Sequence, residues 1–240
     1  RLLLSQWDQS LDIVENLYRV QMENTVGKAS RRRVESIIAA FRRRYAQDAD
    51  LLNALVVFAK ADIPREILDR ILCFCTLQDD ALLMDAAVEL LAPAYAAGQM
   101  DISTAEVNCW LSSQCAAGRS AGDWTSATIA RLARGLLATL RDFGLLEGKA
   151  TKRFRAIFMP VEACAFISFL LYRKLRSGQL VIHNCSWQAF HMDSFDVERV
   201  LVEATGRKLL HYNAAGNVIR IDYPAKGAKE YAHVIVEGKN

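Results

Sequence analysis

Cations are the residues of this chain whose type and spacing can do chemistry. Lys28, Arg31, Arg32, Arg33, Arg42, Arg43 and Arg44 put seven positive charges within seventeen residues, opposed by the single acid Glu35. Such a cluster binds phosphate by charge-assisted hydrogen bonds. Ser30 is a capping residue type, so Arg31, Arg32 and Arg33 fall in a first helical turn. The macrodipole disfavours cations there by about 0.3 to 1 kcal/mol each, and a phosphate would offset that cost. A solvated face, with arginine stems lying over the core, accounts for the same residues without a ligand. That second reading carries more weight for Arg42 and Arg43, because cations suit a helix C-terminus.

A second group is spread over residues 123–160. After Trp124, the short polar residues Thr125, Ser126 and Thr128 precede an apolar stripe at Ile129, Leu132, Ala133, Leu136, Leu137, Leu140 and Phe143, which has helical period. Arg131, Arg134 and Arg141 fall off that stripe. Gly144 ends the helix in a left-handed conformation, and Leu145-Leu146 begins an extended run. The chain turns at 147–151 and returns over Lys152 to Met159, with Phe154, Ala156 and Phe158 alternating against Arg153, Arg155 and Ile157. This predicts phenylalanines inward and arginines outward. A helix that opens on small polar side chains can offer them to base edges, while Arg131, Arg134, Lys149, Lys152, Arg153 and Arg155 are placed for phosphates.

Other chemistry lacks its parts. Cys73 and Cys75 lie two apart on a predicted helix and point about 200° apart, which does not suit a shared metal. His183, Cys185 and His191 lack a fourth ligand at a familiar spacing and read as a loop histidine, a core thiol and a helix-end histidine. No glycine-rich phosphate loop, nucleophile elbow or paired-carboxylate motif is present. The expectation is a protein that is not an enzyme, with no cofactor, no metal and no small-molecule substrate. The six cysteines sit in apolar helical patterns and read as reduced core thiols of a cytoplasmic protein. Trp7, Trp110, Trp124 and Trp187 are widely spaced, as core anchors are. The longest apolar run, Val161 to Tyr172, contains Glu162 and is too short for a membrane span of about 20 residues. No signal peptide is visible, and no membrane partner is expected.

The elements that must position these residues are mostly helices. With 240 residues, 52% hydrophobic and 24% charged, the chain has ample material for a core, and a net charge of +3 means that nucleic-acid affinity must come from clusters. Periodicity predicts helices over Leu2 to Glu23, with Leu11, Val14, Leu17 and Tyr18 inward, and over Ser30 to Tyr45, with Val34, Ile37, Ile38, Phe41 and Tyr45 inward. Further helices are predicted over Asp50 to Lys60, Ile63 to Thr76, Asp80 to Ala97, from the capping box Ser103 to Glu106 through Cys115, and over Val161 to Arg176 with a stop at Gly178. A helix capped by Asp193 or Ser194 buries Val197, Val200, Leu201 and Ala204 and ends at Gly206. A hairpin follows: Leu209 to Tyr212, a turn over 213–217, and Val218 to Tyr223. The fold class is mainly α, with helix-turn-helix or winged-helix elements and two small β-hairpin wings. The domains are an N-terminal helix-turn-helix (1–47), a helical packing region (48–100), a winged-helix domain (101–178) and a C-terminal winged-helix-like domain (179–240).

The order of these segments resembles the BrxA family of bacteriophage exclusion (BREX) defence systems. The likeness rests on the Asn16-Leu17 helix, Ser30 opening an arginine-rich helix that ends Arg42-Arg43-Arg44-Tyr45, and Trp124-Thr125-Ser126-Ala127-Thr128 leading to Leu140-Arg141-Asp142-Phe143-Gly144-Leu145-Leu146. Trp187-Gln188-Ala189-Phe190 and Ala215-Gly216-Asn217-Val218-Ile219-Arg220 extend it. The resemblance implies a cytoplasmic, mostly helical protein that binds double-stranded DNA and works with other BREX defence proteins. It also implies a likeness to the RNA-binding antitermination protein NusB, which keeps RNA as an alternative ligand. A third reading is an assembly adaptor that docks other defence proteins without touching DNA.

Overall fold

The computed structural model describes residues 1–28, 30–119, 124–149, 151–216 and 218–238. In place of the one helix expected over Leu2 to Glu23 there are two, α1 (Leu2–Ser5) and α2 (Ile13–Met22). Asp8 breaks the run by accepting from the backbone and hydroxyl of Ser10, and Asp12 with Glu15 forms a reciprocal capping box that restarts it. The side chain of Asn16 closes the loop, exchanging 2.8 Å hydrogen bonds with the backbone N–H and C=O of Asp8. Burying Asn16 turns Leu17 and Val20 inward and leaves Val14 and Tyr18 exposed, contrary to the predicted face.

The chain continues through α3 (Arg31–Tyr45), α4 (Ala49–Lys60), α5 (Arg65–Asp79), α6 (Ala81–Asp85) and α7 (Ala92–Ala96). Ala86–Leu91, between α6 and α7, is π-helical, so residues 81–96 form one rod. Pro93 explains the widening, because it has no N–H and its ring would strike the carbonyl four residues back in a regular helix. Then come β1 (Asp101–Ile102), α8 (Thr104–Ala116), α9 (Ser126–Asp142), β2 (Leu146–Glu147), β3 (Lys152–Phe154), α10 (Val161–Leu175), α11 (Gly178–Ile182), a 3-10 turn at Cys185–Phe190, α12 (Ser194–Gly206), β4 (His211–Ala215), β5 (Val218–Asp222) and α13 (Ala228–Glu237). The architecture is mainly α with two small antiparallel sheets, ordered β1-β3-β2 and β4-β5.

Two compact units share the chain. The first takes Arg1–Asp79, Pro160–Ile182 and Glu198–Asn240, and the second Asp80–Met159 and His183–Val197.

In the first unit, α4, α10 and α13 meet through aromatic rings. Phe58 lies edge-on to Phe166 at 4.8 Å, and Tyr231 lies 4.8 Å from Phe169 and donates to the Leu209 carbonyl at 3.0 Å. For α13 the sequence reading offered no expectation, although Ala228, Tyr231, Ala232 and Ile235 follow helical spacing and are buried. Its N-terminus has no side-chain cap from Gly227. Asp50 of α4 does that work across 178 residues, accepting from the N–H of Ala228 at 2.6 Å and of Lys229 at 3.0 Å. Arg173 of α10 holds the same carboxylate at 3.2 Å.

The α10 helix stops at Arg176, whose φ is +53°, and not at Gly178. Gly178 serves another purpose: a Cβ there would stand 2.5 Å from the Ile219 carbonyl oxygen, so its absence lets β5 lie against α11. The hairpin register pairs Ala215 with Val218, which puts Asn213 to Ala215 in the strand, and Gly216 follows with a φ of +58°. Asn217, the rest of that predicted turn, is outside the described residues. The four apolar residues expected inside α12 are buried.

In the second unit, α9 buries Ala133, Leu136, Leu137 and Leu140, and α8 starts with the expected Ser103–Glu106 capping box. The strand expected over Lys152 to Met159 ends at Phe154. Its partners β1 and β2 are two residues each, so no ladder extends further, and Phe158 is 71% exposed. His191 stacks on Tyr95 at 3.8 Å with Phe154 edge-on beside it, and its Nδ1 is buried without a hydrogen-bond partner.

Replacing Asp50 with alanine strands the α13 N-terminus, and should lower unfolding stability in urea by about 1 to 2 kcal/mol. Burial pushes the His191 pKa from 6.5 down to about 4. The unfolded chain therefore binds more protons between those two values, and stability falls as pH drops through that window. His191→Phe, which keeps the stack, should flatten this part of the melting-temperature profile measured by calorimetry; an unchanged profile would remove His191 as its cause.

Candidate nucleic-acid interface

The second unit presents the richer set. Thr125 takes the extended cap conformation, and its hydroxyl accepts from the Thr128 N–H at 3.3 Å and lies 3.1 Å from the Thr128 hydroxyl. Thr125 is thus engaged in starting α9, while Ser126 is exposed on the first turn. Asp123, at the head of the stretch read from sequence, is outside the described residues, as is most of the turn expected over 118–123. With one side of α9 buried, Arg131 and Arg134 project into solvent and meet no carboxylate within ion-pair distance among the described residues. Arg141 pairs with its neighbour Asp142 at 2.7 Å. Gly144 has a φ of +71°, the left-handed stop its position predicts.

On the β2–β3 hairpin, Lys149, Arg153 and Arg155 are exposed. Arg153 lies 3.4 Å from Asp101, its neighbour across the β1 ladder. Lys152 behaves differently from the rest of the predicted set. It is 7% exposed, and its Nζ donates to the carbonyls of Gly148 and Lys149, so its charge serves the hairpin turn. Gly148 has a φ of +92°, and a side chain there would strike the Thr151 carbonyl.

The first unit holds the other cluster. Between α2 and α3 the chain turns through Asn24, whose side chain bonds both the carbonyl and the N–H of Lys28, at 2.9 and 3.1 Å. Ala29 is outside the described residues. Ser30 takes the cap conformation, but its hydroxyl accepts nothing from the first turn. Arg31, Arg32 and Arg33 are exposed, and Arg31 pairs with Glu35 at 3.2 Å. Of the C-terminal triplet, Arg42 is exposed, while Arg43 grips Asp79 through both carboxylate oxygens at 3.1 and 2.8 Å.

The cysteines split. Cys73, Cys75 and Cys164 are buried, and burial raises the Cys73 and Cys75 thiols to about 12 and Cys164 further still. Cys109 and Cys185 are exposed, against the expectation of core thiols throughout: Cys109 lies on the outer side of α8, and Cys185 opens a surface 3-10 turn. Trp7 and Trp187 are buried anchors, whereas Trp110 and Trp124 are half-buried. Among the described residues, no group of three His, Cys, Asp or Glu side chains is placed to hold a metal ion, and no helix is long and apolar enough to cross a membrane.

The BrxA family model matches residues 1–170 of this chain. No curated protein and no solved structure matches it.

Lys152→Met keeps the stem and removes the donor. It should destabilise the hairpin by about 1 kcal/mol, the worth of an ordinary buried hydrogen bond, seen as faster amide exchange over β2 and β3.

Proposed function

The chain belongs to the BrxA family, components of BREX phage-defence systems, and from that premise we propose that it is a non-enzymatic, cytoplasmic protein that binds duplex DNA mainly through phosphates. The observation that carries this reading is the set of exposed cations on one helix and its following hairpin: Arg131 and Arg134 on α9, then Lys149, Arg153 and Arg155. Their arrangement supports it. From α6 to β3 the second unit runs helix, strand, helix, helix, strand, strand with sheet order β1-β3-β2, which supports the winged-helix reading. In such a domain the second helix of the pair meets the major groove and the hairpin meets the backbone. Ser126 and Thr128 stand where a groove-facing helix contacts base edges. In the first unit, Lys28, Arg31, Arg32 and Arg33 supply a separate phosphate-binding surface at the start of α3. Association with other BREX proteins follows from the family.

A specific feature favours the adaptor role as well. Val14, Tyr18 and Met22 recur every four residues along α2 and are 66, 62 and 66% exposed. An apolar stripe of that kind suits a protein partner.

Fluorescence anisotropy with labelled duplex DNA, single-stranded DNA and duplex RNA, each at several salt concentrations, separates these readings. Under the DNA reading, log affinity for duplex DNA falls with log salt by roughly 0.9 per phosphate neutralised. Replacing Arg131 and Arg134 together by alanine should then reduce that slope by about two and weaken binding about equally across sequences. A flat salt dependence, or no binding at low salt, leaves the adaptor reading; a preference for duplex RNA replaces DNA as the ligand.

A further inference from the structure

A cleft of about 480 Å³ opens in the first unit where the last turns of α3, α5 and α10 meet the start of α4. That volume lies in the usual range for small-molecule sites. Its apolar wall includes Leu51, Phe74 and Leu170. Four cations line it, Arg43, Arg44, Arg173 and Lys174, against two carboxylates, Asp48 and Asp79.

The ion pairs divide these cations. Arg43 holds Asp79 through both oxygens, and Arg173 lies 3.3 Å from Asp48 and 3.2 Å from Asp50. Arg44 reaches Asp79 only at 3.6 Å, and its Nε is buried with no hydrogen-bond partner. Lys174 has no carboxylate within ion-pair distance among the described residues. Tyr45, also lining the cleft, is engaged with Thr76 at 2.7 Å. Arg44 from α3 and Lys174 from α10 thus line one recess that has an apolar wall.

We propose that this cleft binds a small organic phosphate with a flat aromatic body, of the class of a nucleoside monophosphate, whose ring face lies on the apolar wall. The phosphate offers several oxygens to donors that converge from α3 and α10, which a single carboxylate does less well. The flat body covers Leu51, Phe74 and Leu170. A duplex backbone does not satisfy the site, because its bases are stacked inside and cannot reach the wall of a recess. The inference is independent of the DNA reading, and it adds a class of ligand that the sequence motifs did not announce.

Isothermal titration calorimetry on the full chain, with the common ribonucleoside monophosphates and with inorganic phosphate, tests it. At least one nucleotide should bind with Kd at or below about 1 mM, the edge of specific recognition. Inorganic phosphate should bind at least about tenfold more weakly, the equivalent of 1.4 kcal/mol from the apolar wall. Lys174→Gln, an exposed change that leaves the fold intact, should weaken the nucleotide about tenfold, as should Arg44→Gln if it folds, while Arg131→Ala with Arg134→Ala changes nothing. The proposal is overturned if no nucleotide binds, if Lys174→Gln binds as well as the parent, or if phosphate alone binds as tightly as the nucleotide.

Discussion

The carboxylate of Asp50 is the contact on which the first unit closes. It sits in the first turn of α4, supplies the missing cap of α13 and is gripped by Arg173 near the end of α10. One side chain thus ties three helices whose sequence neighbours are far apart. Each helix N-terminus leaves N–H groups without internal partners, and here the donor–acceptor requirement is met across the tertiary fold. Gly227, next to that junction, has room for little else: a Cβ would stand 3.3 Å from Asp50. The same three helices bring Phe58, Phe166 and Tyr231 together. The segment that matches the BrxA family ends at residue 170, inside α10, so Arg173, the β4–β5 hairpin and α13 complete the unit from beyond it.

In the second unit burial sets the electrostatics. Once Ala133, Leu136, Leu137 and Leu140 commit one side of α9 to the core, Arg131 and Arg134 have only the outer side. The β3 strand shows the same logic with an exception. Alternation turns Phe154 inward and Arg153 outward, but Lys152 is inward too, on the same side as Phe154. A buried ammonium needs acceptors, and the carbonyls of the adjacent turn provide them. His191 resolves a similar conflict by staying neutral: burial lowers its pKa and the ring stacks on Tyr95 as an uncharged surface.

What could be read from the sequence was local. The Ser103–Glu106 capping box, the start of α9 at Thr125 and Ser126, its apolar stripe and the left-handed Gly144 each depend on residues within one or two turns. The basic clusters were legible as charge, and mostly as exposure. Three things were not, because each depends on contacts distant in sequence or on competition between side chains and backbone. The Leu2 to Glu23 run breaks because Asp8, Asp12 and Asn16 bond the backbone in preference to continuing a helix. Lys152 shares the inward side of β3 with Phe154, and what the sequence did not announce is that the carbonyls of Gly148 and Lys149 take its charge. Gly178 is required by β5, about forty residues on, and not by the helix before it. The cleft between α3, α5 and α10 was invisible for the same reason, since Arg44 and Lys174 come to line one recess only after folding.

Like charges held close together need a counterion, and this constrains what the exposed clusters can face. Arg131 and Arg134 are three residues apart on α9, hence about 5 to 6 Å apart at Cβ. That is within the roughly 8 Å over which charges still sense each other at physiological salt. Arg31, Arg32 and Arg33 stand closer still, at a helix end whose dipole is also positive, with Glu35 as the neighbouring acid. Apart from the Arg31–Glu35 pair, neither arrangement is relieved by an ion pair of its own unit among the described residues. Both become favourable when a row of anions lies against them, because each neutralised charge also relieves its neighbours. A polyanion with closely spaced phosphates meets that condition over a whole cluster, whereas a protein surface would need several carboxylates at matching spacing. This charge pattern is the physical ground of the proposed nucleic-acid reading, and the apolar stripe of α2 is the ground of the adaptor reading.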